Sequence, residues 1–60
     1  MKVIKLHNVD DGEPIYLMVS NIVAWEPNSE CTRVYTKNIT FTVREEPQEV
    51  VRLILHPGLP

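Results

Sequence analysis

Apolar and polar residues alternate along most of this chain in the manner of short strands, and the rhythm changes once, across a proline. Ile39, Phe41 and Val43 alternate with Thr40 and Thr42, the period-2 pattern of a strand with one face buried. After Arg44-Glu45-Glu46 comes Pro47, whose fixed φ and missing N–H suit the first helical position. Val50, Val51, Leu53, Ile54 and Leu55 then recur at helical spacing, which predicts a helix from Pro47 to about Leu55. A strand that turns directly into a helix can lay the helix's apolar stripe over the sheet, so the preceding residues must supply that sheet.

They supply four more candidate strands. Residues 2–6 form the first, with Ile4 and Leu6 on one face and Val3 and Lys5 on the other. Residues 7–13 are polar and contain Asp11-Gly12, a turn signal. Pro14 suits the first position of a second strand, where no ladder bond need be donated; Ile15, Leu17 and Val19 then face one way and Tyr16 and Met18 the other. Ser20 and Asn21 predict a kink, because their side chains compete for nearby backbone groups. In a third strand over 22–26, Ile22 and Ala24 share one face and Val23 and Trp25 the other. Residues 27–31 read as a hairpin loop, with Pro27-Asn28-Ser29 as its turn residues. The fourth strand covers 32–36, and Lys37-Asn38 turns the chain back into 39–43, Asn38 being tolerant of positive φ. Glu46, Gln48 and Glu49 stand near the positive end of the helix dipole, His56-Pro57-Gly58 stops the helix, and Leu59-Pro60 ends the chain as a frayed tail. The expected architecture is one α+β domain over 1–60: a small antiparallel β-meander of about five strands, followed by one C-terminal helix packed on one sheet face.

Composition narrows the context. Sixty residues lie near the lower limit for a chain that folds without disulfides or metal. The single cysteine, Cys31, excludes an intrachain disulfide and points to a reducing compartment. At the N-terminus, lysines interrupt the apolar residues too often for a signal-peptide core or a membrane span, so the expected location is cytoplasmic. A formal net charge of −2 gives no general attraction to phosphate backbones.

The order of elements carries a resemblance. An N-terminal strand, a turn at Gly12, an apolar strand, Ser20-Asn21-Ile22, a hairpin and the run Val43-Arg44-Glu45-Glu46-Pro47-Gln48-Glu49-Val50 together resemble the FlbD family of short flagellar and swarming-motility proteins. The likeness runs along nearly the whole chain and is most distinctive at Glu45, Pro47, Glu49 and Val50. The chain departs from the family pattern in the last hairpin turn, where Lys37-Asn38 replaces the usual glycine, and in a longer loop over 27–31. The resemblance implies a small cytoplasmic, non-enzymatic protein, similar to short bacterial and phage reading frames of accessory or regulatory type. It transfers no catalytic or binding residue.

Candidate chemistry is sparse. His7, Cys31 and His56 stand alone, without the spacing that puts two metal ligands on one local structure, and Asp10, Asp11 and Glu13 lack the alternation of a calcium loop. With Gly12 and Gly58 as the only glycines there is no glycine-rich phosphate loop. The expectation is therefore no catalytic residue, metal or cofactor. A second apolar face is the informative feature. If Ile4, Leu6, Ile15, Leu17, Ile22, Ala24, Val34, Ile39, Phe41 and Val43 face the helix, then Val3, Tyr16, Met18, Val23, Trp25 and Tyr35 lie opposite, where one helix cannot cover them. Trp, Tyr and Met are the residues enriched at interface centres, so this face predicts self-association or binding of another protein. The alternative is a single-stranded nucleic-acid module, with Trp25, Tyr16 and Tyr35 stacking on bases and Lys2, Lys5, Arg33 and Lys37 contacting phosphates.

Overall fold

In the computed structural model, which describes residues 2–56, the elements follow in the predicted order. They are strands β1 (Val3–His7), β2 (Pro14–Met18), β3 (Ile22–Asn28), β4 (Cys31–Thr36) and β5 (Thr40–Val43), then helix α1 (Pro47–Leu55). The fold is α+β, with antiparallel strands throughout and the helix packed on them. Instead of one continuous meander there are two sheets, β1-β2 and β3-β4-β5. The break falls at Ser20 and Asn21, where a 3-10 turn over Val19–Asn21 ends β2 one residue early. Its ends are tied elsewhere: Val19 N–H donates to the Lys2 carbonyl (2.9 Å), and the Asn21 carbonyl accepts from Lys37 N–H (3.1 Å).

Both sheets feed one core. Ile4, Leu6 and Leu17 come from the first, Val34 and Val43 from the second and Val50 from the helix; all six are buried. Leu53 and Ile54 pack against this cluster beside Ile15, Val19, Ile22 and Phe41. The helix contacts β1 of the first sheet and β3 and β4 of the second, so it packs against both. Pro47 occupies its first turn, and the Glu46 carbonyl accepts from the N–H groups of Glu49 and Val50. On the solvent side Glu49 and Arg52 pair one turn apart, and the Arg52 hydrogen bond holds the Glu49 carboxyl below its ordinary pKa. His56 caps the helix through its N–H on the Arg52 carbonyl; the stop assigned to Pro57-Gly58 and the tail Leu59-Pro60 lie outside the described residues.

Three local expectations need correction. First, β3 carries a bulge between Ile22 and Ala24: Ile22 pairs with Thr36, but Ala24 pairs with Tyr35 and Trp25 with Val34. Directly paired residues share a face, so the extra residue shifts the alternation by one. Ala24 turns outward with Tyr35, and Trp25 joins the side of buried Val34. Second, β3 continues through Pro27 to Asn28, leaving only Ser29 and Glu30 as the turn. Pro27 is tolerated because β3 is an edge strand. Ser29, rather than Asn38, takes a positive φ of 59°. Third, Ile39 stands outside β5 and is 55% exposed. The Thr36 hydroxyl donates to the Ile39 carbonyl (2.6 Å) and accepts its N–H (3.1 Å), closing a turn that removes Ile39 from the strand.

Two stability measurements check this description. Truncating Val50 to Ala removes two methyl groups from a fully buried site, and urea unfolding should show a loss of about 2 kcal/mol. Leu55→Ala, at a residue 66% exposed, should change stability by less than about 0.5 kcal/mol. At the β3-β4 turn, Ser29→Gly should raise stability by about 0.5–1 kcal/mol because glycine adopts positive φ without the Cβ clash, whereas Ser29→Val should lower it. Equal midpoints for Ser29→Gly and Ser29→Val would contradict the turn geometry.

Candidate functional site

Hydrogen-bond parity along β1 and β2 determines which backbone groups remain open. The bonds Asn8 N–H to Glu13 C=O and Val19 N–H to Lys2 C=O, both 2.9 Å, flank the ladder at its two ends. Leu6 with Ile15 and Ile4 with Leu17 are therefore the pairs that exchange backbone bonds, since such pairs alternate in an antiparallel ladder. The backbone groups of His7 point away from β2, and those of Tyr16 and Met18 point away from β1.

The His7 groups are taken by the segment between β5 and α1. Its N–H donates to Glu45 Oε1 (3.0 Å), and its carbonyl accepts from Arg44 N–H (2.8 Å). Beyond it, Asn8 bridges Val43 and Val9 N–H donates to the Thr42 carbonyl (3.0 Å), so the end of β1 pairs with the end of β5. Glu45 Oε2 also lies 2.6 Å from His7 Nδ1, and the Glu45 carbonyl accepts from the hydroxyl of fully buried Thr32 (2.7 Å). One glutamate thus ties β1 to β4 at the entry of the helix. Arg44 covers the adjacent turn: Gly12 has φ 74°, and a Cβ there would come within 2.9 Å of Arg44 Nη1. Glycine is needed at this position for its backbone angle; the Arg44 guanidinium, at the end of a flexible exposed side chain, can move aside.

The soft ligand candidates stay apart. His7 is engaged by Glu45, Cys31 is half-buried at the start of β4, and His56 is exposed beyond the helix. Among the described residues, no three His, Cys, Asp or Glu side chains converge as a metal site would require. Asp10 and Asp11 belong to turn structure: Asp10 N–H donates to Asn8 Oδ1 and Glu13 N–H to Asp11 Oδ1. No cavity is present among the described residues.

The six residues expected on one apolar face divide over two sheets. Val3 pairs directly with Met18, and Tyr16 stands beside Met18 on the same outer face of β1-β2, with Lys5 as its partner. Tyr16 is 59% and Met18 45% exposed. Val23 lies at the bulge and is exposed, while Trp25 faces the core side from the edge strand and remains 39% exposed. Tyr35 lies on the outer face of the second sheet, where its hydroxyl meets Glu26; the Glu26 carboxylate also stands 3.9 Å from Arg33. The structure brings Val3, Tyr16 and Met18 together and separates them from Trp25 and Tyr35. The sheet break and the bulge are the two causes. Of the basic residues, Lys5 accompanies Tyr16, Arg33 is beside Glu26, Lys2 precedes β1 and Lys37 lies in the β4-β5 turn. Sequence reasoning missed the clamp of His7, Thr32 and Glu45, although Glu45 already stood out as one of the distinctive positions of the helix entry.

Compared with known protein families, curated proteins and solved structures, the chain matches none. No described helix is long and apolar enough to cross a membrane.

A chemical denaturation series tests the clamp. Glu45→Ala leaves the His7 N–H and ring nitrogen without their acceptor and should destabilise by about 1.5–3 kcal/mol, the range for hydrogen bonds to a charged group. Glu45→Gln keeps an amide oxygen for the His7 N–H and should recover about half of that loss. His7→Ala, which retains the backbone donor, should cost less than Glu45→Ala; equal losses would place the energy in the ring contact alone.

Proposed function

We propose that this protein is a small, non-enzymatic, cytoplasmic interaction module that self-associates through the outer face of β1 and β2. The observation that carries the reading is the adjacency of Val3, Met18 and Tyr16 on a face that the helix does not cover, with Tyr16 and Met18 both largely exposed. A chain of 60 residues whose described part has six buried hydrophobic side chains in its core gains from covering such a face with a partner. Aromatic and methionine side chains suit that use because they contribute large contact areas. An accessory or regulatory role of bacterial or phage type, as the FlbD resemblance implies, is consistent with a module of this kind. The positions that carry the resemblance have structural work here: Glu45 clamps His7, Pro47 starts the helix and Val50 fills the core.

The placement of the aromatic residues supports a protein partner over single-stranded nucleic acid. Stacking needs several open rings along one basic groove. Tyr16, Trp25 and Tyr35 lie on different surfaces, and Arg33 and Tyr35 share the carboxylate of Glu26.

Light scattering across a dilution series tests the reading. The wild type should exceed the monomer mass at high micromolar concentration and approach it on dilution, with little change between low and high salt. Combined Tyr16→Glu and Met18→Glu substitution should give a folded monomer. A wild type that is monomeric throughout would contradict self-association, and oligonucleotide binding that weakens steeply with salt would support the nucleic-acid alternative.

A further inference from the structure

The clamp at Glu45 leaves one reactive nitrogen open. The Glu45 carboxylate lies 2.6 Å from His7 Nδ1 and accepts the His7 N–H on its other oxygen (3.0 Å). Imidazole is a stronger base than carboxylate, so the proton between them sits on Nδ1 and the ring's lone pair falls on Nε2. The His7 side chain is 42% exposed and that of Glu45 only 14%, which makes the carboxylate the sheltered end of the pair and the imidazole its open end. Among the described residues the ring has no second hydrogen-bond partner. A carboxylate fixed on Nδ1 acts on Nε2 in two ways: it holds the tautomer in which Nε2 is unprotonated, and it stabilises the positive charge the ring gains when Nε2 forms a bond. His56, the other histidine, is exposed beyond the helix and has no such carboxylate among the described residues.

Three kinds of partner can use such a nitrogen. A metal ion needs several ligands, and no three His, Cys, Asp or Glu side chains converge among the described residues. An acyl group needs a cavity that orients its carbonyl and keeps water out, and the described residues enclose none. A phosphoryl group asks less of its acceptor. Its transfer passes through a loose transition state in which positioning and charge stabilisation do most of the work, and the donor's own site can supply both. The surroundings on the outer face suit an anion. By alternation His7 shares that face with Val3 and Lys5, opposite Pro14, Tyr16 and Met18, and Lys5 is the charged member of the group, roughly 7 Å back along the strand. The Arg44 guanidinium lies over Gly12 in the adjoining turn. Asp10, Asp11 and Glu13 belong to that turn, where the Asp11 carboxylate accepts the Glu13 N–H.

We propose that His7 is a phosphoryl-acceptor site, with Nε2 as the nucleophile and Glu45 as its positioning residue. The donor class is a phosphoramidate or an acyl phosphate, whose leaving group departs without taking up a proton. The Nε2 lone pair attacks phosphorus in line with that group; the N–P bond forms as the bond to the leaving group breaks, and the leaving group carries off the electron pair. Nδ1 keeps its proton and its bond to Glu45 throughout, so the clamp need not open for the site to react. The chain is then the substrate of a phosphoryl donor and not an enzyme. The site goes beyond the self-association reading and does not depend on it.

Phosphoramidate, which releases ammonia, tests the site on the full-length chain, with His56 as the comparison inside the same molecule. In mildly alkaline buffer, which preserves N–P bonds, His7 should gain a phosphoryl group at least tenfold faster than His56, read by mass spectrometry of peptides cut between the two. Phosphorus–proton correlation spectra should place the group on Nε2 of His7, whereas His56 gives both ring isomers. Glu45→Gln keeps an acceptor for the His7 N–H but removes the charge opposite the ring, so the His7 rate should fall to about that of His56. A denaturation midpoint checks that this variant is folded. Should Glu45→Gln fail to fold, the ratio of the two rates and the ring position in the wild type decide. Equal rates at the two histidines, or a phosphoryl group on Nδ1 of His7, overturn the proposal. An unchanged His7 rate in folded Glu45→Gln removes Glu45 as the positioning residue and overturns the pairing on which the site rests.

Discussion

The clamp between Glu45 and the end of β1 is the contact on which the rest of this fold depends. A two-stranded hairpin is at best marginally stable alone, and here the hairpin β1-β2 shares no ladder with the three-stranded sheet beyond one bridge at Asn8 and Val43. Glu45 closes that gap by accepting from the His7 backbone and meeting its ring, while its own carbonyl takes the hydroxyl of Thr32. Thr32 is fully buried, so its hydroxyl needs a partner, and the chain provides one at the point where it must turn into the helix. Pro47 starts the helix two residues after Glu45 fixes the sheet junction. Val50 then falls into the space between Ile4, Leu6 and Leu17 on one side and Val34 and Val43 on the other.

From this junction follows the shape of the exposed surface. Glu45, Arg44 and Thr42 engage the end of β1 from one side, so the first sheet meets the second only at His7 and the residues just beyond it. Because the one helix packs on the core side of both sheets, the outer face of β1-β2 is left without a layer above it among the described residues. Val3, Tyr16 and Met18 are apolar residues on that uncovered face, and the proposed function grows from their position. Charge plays a smaller part: Glu26 serves Arg33 and Tyr35 together on the second sheet, which makes that outer face polar and self-contained.

Much of the fold was legible because it rests on local rhythm. Alternation in Ile4 and Leu6, in Ile15 and Leu17 and in Phe41 and Val43 assigns the correct faces, and Pro47 marks the helix start to the residue. Ser20-Asn21 marks the break, although its consequence, two sheets in place of one, depends on how the chain folds back. What alternation misses is a change of phase inside a strand. The bulge at Val23 leaves the sequence pattern intact while exchanging the faces of Ala24 and Trp25, so the expected apolar face loses Trp25. Ile39 was misplaced for a related reason: a threonine hydroxyl closes the turn one residue later than the apolar pattern suggests. The pairing of His7 with Glu45 spans 38 residues and has no local signature at all. Only the three-dimensional path of the chain makes Val3, Tyr16 and Met18 a patch without Tyr35.

Native-state hydrogen exchange tests the junction most directly. The amides of His7, Val9 and Arg44 each bond across the seam between the two sheets, whereas those of β4 lie inside one sheet. If the clamp makes the two sheets one cooperative unit, seam and β4 amides exchange with the same opening free energy, equal to that of global unfolding. Seam amides that open at a free energy several kcal/mol below the β4 amides would show that the hairpin detaches on its own, and would contradict the dependence of this fold on Glu45.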